Sequence, residues 1–284
     1  MFREQRVLAI VPARGGSKRL PGKNLHLVAG KPLIAWALEA GAKASAVDRT
    51  VLSTDDDALV ASAANQGFSD FLIRPAGLAS DDASMTSVIA HAIKKLKERG
   101  DDFGYLVLLQ PTSPLRTAQH IDQAFDIMGE KNALGAVSIC STEHPKEWMS
   151  TISEDGLLDT FFQETQLEYQ SQEFKPSYQI NGAIYIVPIA EFLRQKTLFL
   201  RSGMAALVME RQDSVDIDNA YDLQLADWLL RQRQATGDRR QGQRELIPQR
   251  RFHRDKSINL CFGGVVGRPY VARVTPTHQV LYSV

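Results

Sequence analysis

Arg6-Val7-Leu8-Ala9-Ile10-Val11-Pro12 runs straight into Ala13-Arg14-Gly15-Gly16-Ser17-Lys18-Arg19-Leu20-Pro21-Gly22-Lys23-Asn24. The first half is an unbroken apolar run without alternation, as expected of a strand covered on both faces in a parallel sheet. The second half is a loop with three glycines and four cations. Glycines allow backbone N–H groups to turn toward an anion, and Arg and Lys neutralise it. Open α/β sheets take their ligands at the C-terminal edge of such strands. The spacing matches neither Gly-x-x-x-x-Gly-Lys-Ser/Thr nor a helix-opening Gly-x-Gly-x-x-Gly, so the two familiar nucleotide signatures are excluded. The competing reading is a basic surface loop.

Further along the chain, apolar runs and helical periods alternate. Strands are expected over 50–55, 71–73, 105–110 and 133–140, with helices over 32–40, 56–66, 84–99 and 118–128. Gly100 suits the end of the third helix. This alternation predicts an α/β fold, a doubly wound, mostly parallel, Rossmann-like sheet. Residues 141–179 are polar and aperiodic, with Pro145, Gly156 and Pro176, and read as a hairpin-rich excursion from the sheet. Strand character returns at 181–188 and 205–210, followed by a helix over 220–233.

The chain has 284 residues, 44% hydrophobic and 23% charged, a globular composition with enough length for a sizeable core. No apolar run reaches the roughly 18 residues of a membrane span. The first residues lack signal-peptide architecture. Two cysteines, Cys140 and Cys261, make no disulfide framework, so a cytoplasmic location is expected. The net charge of zero conceals an asymmetry: residues 231–284 hold eleven basic and three acidic residues, a net +8, against −8 for the body. An acidic body argues against a nucleic-acid-binding core. The division expected is a domain over 1–236, with 141–179 inside it, and a basic extension over 237–284 of unassigned role.

The 12–24 stretch resembles the nucleotide-binding signature of the CMP-sialic acid synthetases, the acylneuraminate and nonulosonate cytidylyltransferases. Five further stretches match in order: Leu52–Asp55; Arg74-Pro75 with Leu78–Asp81; Leu109-Gln110-Pro111-Thr112-Ser113-Pro114-Leu115-Arg116; Asn181-Gly182-Ala183-Ile184-Tyr185; and Asp213-Ser214-Val215-Asp216-Ile217-Asp218. The likeness spans about residues 6–230 and implies a nucleotidyltransferase sheet with a small dimerisation excursion over 141–179. The implied partners are CTP and a nine-carbon 2-keto sugar acid, the implied cofactor is Mg²⁺, and the implied assembly is a homodimer. Asn24 separates the chain from the ketodeoxyoctonate cytidylyltransferases, which usually show Pro there. That class remains the alternative, ahead of a nucleotide sensor without turnover.

By this resemblance Arg14 and Lys23 hold the triphosphate, with Ala13, Gly15, Gly16, Ser17 and Asn24 lining the nucleotide and Arg74 and Ser84 near cytosine and ribose. Lys18 and Arg19 read equally well as solvated cations. Asp216 and Asp218, being i and i+2 on an extended segment, point to one side and suit a hard cation; the family places its metal ligands there. Asp218 is the candidate proton acceptor. The bland alternative is a helix cap by Asp218 or Asn219. Gln110, at a strand end, can donate and accept toward the sugar. Lys146, Gln179, Asn181 and Tyr185 complete the expected sugar side. Gln179 stands where N-acetylneuraminate users often carry Arg, and Lys146 is displaced from the family's lysine, so legionaminate- and pseudaminate-type sugars are included. Arg116 reads as structural or substrate-facing alike.

Overall fold

The computed structural model describes residues 1–80 and 83–237. The extension expected over 237–284 lies, apart from Gly237, outside the described residues. The elements are β1 (Val7–Pro12), β2 (Leu27–Val28), β3 (Lys31–Pro32), α1 (Leu33–Lys43), β4 (Arg49–Thr54), α2 (Asp57–Asn65), β5 (Phe71–Ile73) and α3 (Met85–Glu98). They continue with β6 (Tyr105–Leu108), α4 (Ala118–Glu130), β7 (Gly135–Ser141), α5 (Asp159–Glu164), β8 (Tyr178–Pro188), α6 (Ile189–Gln195), β9 (Met204–Val208) and α7 (Ala220–Ala235). No helix among the described residues is long and apolar enough to cross a membrane.

Seven strands form one sheet in the order β5-β4-β1-β6-β8-β7-β9, and β2 pairs with β3 in a small separate ribbon. Every pairing in the large sheet is parallel except those of β8, which runs antiparallel to both β6 and β7. The sheet is therefore doubly wound and mostly parallel, as expected. Its strand order reverses between β1 and β6, so the loops leaving those two strands diverge and open a crevice at their C-terminal ends.

Alternate residues of β1 feed two cores. Val7, Ala9 and Val11 pack with Ile34, Leu38, Leu59 and Phe125 on one face. Leu8 and Ile10 pack with Ile89, Leu96 and Phe192 on the other. A third cluster joins Val28, Leu33, Leu115, Ala226 and Leu230 around Ile217, whose side chain is fully buried. Complete burial of an aliphatic chain of this size stabilises by about 1.5–3 kcal/mol, so this cluster anchors the segment carrying Asp216 and Asp218.

Between β7 and β8 the chain forms helical turns rather than hairpins. They comprise 3-10 turns at Lys146–Trp148 and Ser171–Glu173, with α5 between them. Backbone donors there are satisfied locally, Trp148 N on the Pro145 carbonyl at 3.0 Å and Gln166 N on the Glu147 carbonyl at 2.9 Å, so no strand partner is required. Apolar side chains including Met149, Ile152, Leu157 and Phe162 remain exposed.

The N-terminus of α4 is closed by a capping box: His120 N donates to Thr117 Oγ1 at 3.3 Å, and Thr117 N donates to His120 Nδ1 at 3.3 Å. The other ring nitrogen faces Asp213 at 3.5 Å. Burial, with the charges of Arg233 and Arg116 adding, pulls the imidazole down to about 4. The unfolded chain takes up this proton near 6.5, so between those values it binds more protons than the native state, and stability falls as pH drops through that window. Thermal melts at pH 4, 5, 6 and 7 are expected to show a steeper acid loss for the wild type than for His120→Gln. Parallel curves would remove His120 from the acid response.

Candidate active site

The loop after β1 is fixed by short contacts from three directions. Ala13 N donates to the Ser53 carbonyl at 3.0 Å, and Arg74 Nη2 donates to the Ala13 carbonyl at 2.6 Å. Arg74 is itself buried and paired with Asp55 at 3.0 Å; burial lowers its pKa while Asp55 opposes the fall. Asn24 Nδ2 donates to the Arg14 carbonyl at 3.0 Å, closing the loop across its mouth. At Gly15 any Cβ would collide with the Asp56 carboxylate. Asp56 also caps α2, accepting from Ala58 N at 2.7 Å. Ser84 caps α3 through its hydroxyl at 3.2 Å from Ser87 N.

The far end of the chain meets this loop. Lys23 Nζ donates to the Ile217 carbonyl at 2.6 Å and stands 4.0 Å from Asp218 Oδ1. Arg19 Nη1 donates to Asp218 Oδ2 at 2.9 Å. Burial lowers the Lys23 pKa, and the charges of Asp218 and Asp216 counteract it. Asp216 and Asp218 flank buried Ile217, whose N–H donates to the Thr112 carbonyl at 2.8 Å. Asp216 is raised above the usual carboxylate value by surrounding protein and by like-charged Asp218, while a hydrogen bond from the Thr112 side chain works the other way. Neither aspartate caps α7. Asn219 does so, accepting from Tyr221 N at 2.8 Å, with Asp222 completing a capping box. Both carboxylates are therefore spared the capping task, Asp218 facing Arg19 and Asp216 the Thr112 side chain.

The third contributor is a kink in β8. The pairing of β7 with β8 shifts register between Val137 and Ile139, and Gly182 adopts φ +75°. Buried Asn181 stitches the irregularity: its Oδ1 accepts from Ser138 Oγ at 2.6 Å and its Nδ2 donates to Ser214 Oγ at 2.9 Å. Bulges of this kind re-aim backbone at functional sites. A Cβ at Gly182 would lie 2.9 Å from Gln110 Oε1 and 3.6 Å from both Asp216 Oδ2 and Ser113 Oγ. Gln110, Ser113 and Asp216 thus converge on one bare glycine. Tyr185 is buried edge-on to Phe199 at 5.7 Å, its phenol raised by burial and by Asp216.

The structure accordingly brings together the loop residues Ala13 to Asn24, Arg74, Gln110, Asp216 and Asp218. Asn181 turns inward, with both ends of its amide engaged by protein. Lys146 and Gln179 lie on the exposed base of the excursion, Gln179 opposite Cys140 in the β7–β8 pairing. Sequence reasoning left out Thr112, Ser113, Asp55 and Gly182 as individual participants, although all four stand inside the quoted motifs. Their contacts run across long separations that no local pattern encodes.

The family model described as cytidylyltransferase matches residues 8–228. The CMP-N,N'-diacetyllegionaminic acid synthase of Legionella pneumophila is 34% identical over 227 residues, covering 79% of this chain and 96% of that protein. The N-acylneuraminate cytidylyltransferase of Escherichia coli is 33% identical over 222 residues, covering 78% of this chain and 51% of the longer relative. The pseudaminic acid cytidylyltransferase of Campylobacter jejuni is 29% identical, covering 79% and 96%. Among solved structures, a CMP:2-keto-3-deoxy-manno-octonic acid synthetase complexed with CTP superposes with a TM-score of 0.60 at 17% identity, over 80% of this chain and 99% of that one. At that identity the likeness establishes the fold.

Gly182→Ala is expected to lose stability by about 1–2 kcal/mol from the left-handed backbone alone. It should lose turnover by tenfold or more as the new methyl displaces the Gln110 amide. Gly129→Ala in α4, where a Cβ meets nothing within 4 Å, should be neutral or stabilising in the same urea titration. Equal behaviour of the two variants would refute the clearance role.

Proposed function

The chain belongs to the cytidylyltransferase family, and on that premise we propose that it transfers CMP from CTP to the anomeric hydroxyl of a nine-carbon 2-keto sugar acid, releasing pyrophosphate. The sugar class follows the relatives, which are named for legionaminic, neuraminic and pseudaminic acids. The observation that carries the reading is the approach of Arg19 and Lys23 to the Asp216–Asp218 segment, at 2.9 Å and 2.6 Å. A triphosphate at the loop lies beside the acid pair without further folding.

In this reaction the anomeric oxygen forms a bond to the α-phosphorus as the bond from that phosphorus to the departing pyrophosphate breaks in line. The hydroxyl proton passes to the Asp218 carboxylate. Arg14 and Lys23 stabilise the charge gathering on pyrophosphate, assisted by the backbone of Gly15 to Ser17. Arg19, which pairs with Asp218 in the free protein, is drawn toward phosphate oxygens and frees that carboxylate. Gln110 orients the sugar, so enzyme help is mainly positioning.

Asp216 and Asp218 suit Mg²⁺ as a resident cofactor. They are two hard oxygen donors on either side of Ile217, Asp216 raised first by surrounding protein and then by the charge of Asp218, and Mg²⁺ is commonly held by one or two carboxylates together with substrate phosphates. When bound, the ion neutralises phosphate charge.

The exposed apolar side chains of the excursion support a homodimer in which 141–179 covers a second copy. Sedimentation should give a dimer for the wild type and monomer for Ile152→Asp/Phe162→Asp; a wild-type monomer at micromolar concentration overturns the assembly.

Lys23→Ala and Asp218→Ala should each reduce pyrophosphate release by orders of magnitude while retaining the wild-type far-UV spectrum. The function itself is tested by offering CTP and Mg²⁺ with a panel of 2-keto sugar acids. Turnover confined to eight-carbon acids would favour the ketodeoxyoctonate reading, and CTP binding without turnover would favour a sensor.

A further inference from the structure

Arg116 is 2% exposed, yet it carries a charge that no carboxylate neutralises among the described residues. Burial alone accounts for its pKa, pulled down to about 9, so it is still a cation at neutral pH. Among the described residues only one arm is used: Nη1 donates to the Gln110 carbonyl at 3.1 Å and to the Ala183 carbonyl at 3.0 Å, while Nε and Nη2 are buried without hydrogen-bond partners there. Burying an unpaired charge costs several kcal/mol in general. A neutral residue would fill the same space without that penalty.

The two carbonyls identify what the guanidinium holds. One belongs to Gln110, whose amide oxygen lies against Gly182; the other belongs to Ala183, the neighbour of Gly182 in the β8 kink. The intervening turn is tight, with Ser113 N on the Gln110 carbonyl at 3.3 Å and Arg116 N on the Ser113 carbonyl at 3.4 Å. Arg116 therefore fastens the end of β6 to the kink in β8. Its contacts do not reach the loop after β1.

We propose that Arg116 is the positioning residue of the sugar half of the site, fixing the Gln110 amide over Gly182 by bridging the Gln110 and Ala183 carbonyls. This rests on the sugar-acid reading above. It separates the two substrates: loosening the bridge disturbs the sugar and leaves CTP where it was.

The test measures KM for each substrate and kcat in the wild type, Arg116→Lys, Gln110→Ala and the double variant, using the sugar acid that the wild type turns over best. The KM for the sugar should rise tenfold or more in Arg116→Lys with the KM for CTP within twofold. In the Gln110→Ala background the same substitution should add almost nothing. Equal rises in both KM values, or effects that multiply independently in the double variant, overturn the proposal as a general packing role. If Arg116→Lys gives no cooperative melt, Arg116→Gln, which keeps a planar donor, takes its place; failure of both to fold also overturns it. Absence of wild-type turnover with every sugar acid would refute the substrate reading, whereas wild-type turnover with unselective variants would refute only the role of Arg116.

Discussion

Burial of Ile217 is the constraint on which the site depends. Its side chain is fully enclosed by residues from β2, α1, α7 and the turn after β6, and its N–H is tied to Thr112. With that residue fixed, its neighbours Asp216 and Asp218 are both left exposed on either side of it. The hydrophobic gain of about 1.5–3 kcal/mol from one buried isoleucine works against the repulsion between the two carboxylates. Lys23 then uses the Ile217 carbonyl as its acceptor, so one residue locates both the acid pair and the cation facing it.

Much of the fold could be read from the chain because its strands are short apolar runs and its helices have clear ends. Gly100 follows α3 in the left-handed conformation, and Ser84 and Thr117 cap α3 and α4. The direction of β8 was not legible: a strand buried on both faces has the same composition whichever way it runs. The β2–β3 ribbon and α6 were missed because two residues and seven residues carry too little periodicity to detect. The excursion was misread as hairpins since polar text without a period fits turns of either kind.

At the site, residue types were legible and their directions were not. Arg74, read as near cytosine and ribose, is buried with one guanidinium nitrogen donating to the Ala13 carbonyl and to Asp55. Arg19, read equally well as a solvated cation, reaches an aspartate 199 positions away. Asp218 or Asn219 could cap the last helix, and Asn219 with Asp222 takes that task. Each of these outcomes is decided by a contact between distant segments, which spacing within one segment cannot express.

The two halves of the crevice, nucleotide and sugar under the proposed function, are built differently. The nucleotide half is held by backbone contacts among the ends of β1, β4 and β5, with Arg74 N itself bonded to the Thr54 carbonyl at 2.7 Å. Changing it would disturb strand pairing. The sugar half is assembled from the end of β6 and the β8 kink, with the excursion inserted between β7 and β8. Its inner wall is secured by Ser138, Asn181 and Arg116 independently of what the excursion exposes. Rim residues such as Lys146 and Gln179 can change without loosening Gln110 or Asp216. A rigid inner wall with a replaceable rim is a physical route by which relatives within one family come to be named for different sugar acids.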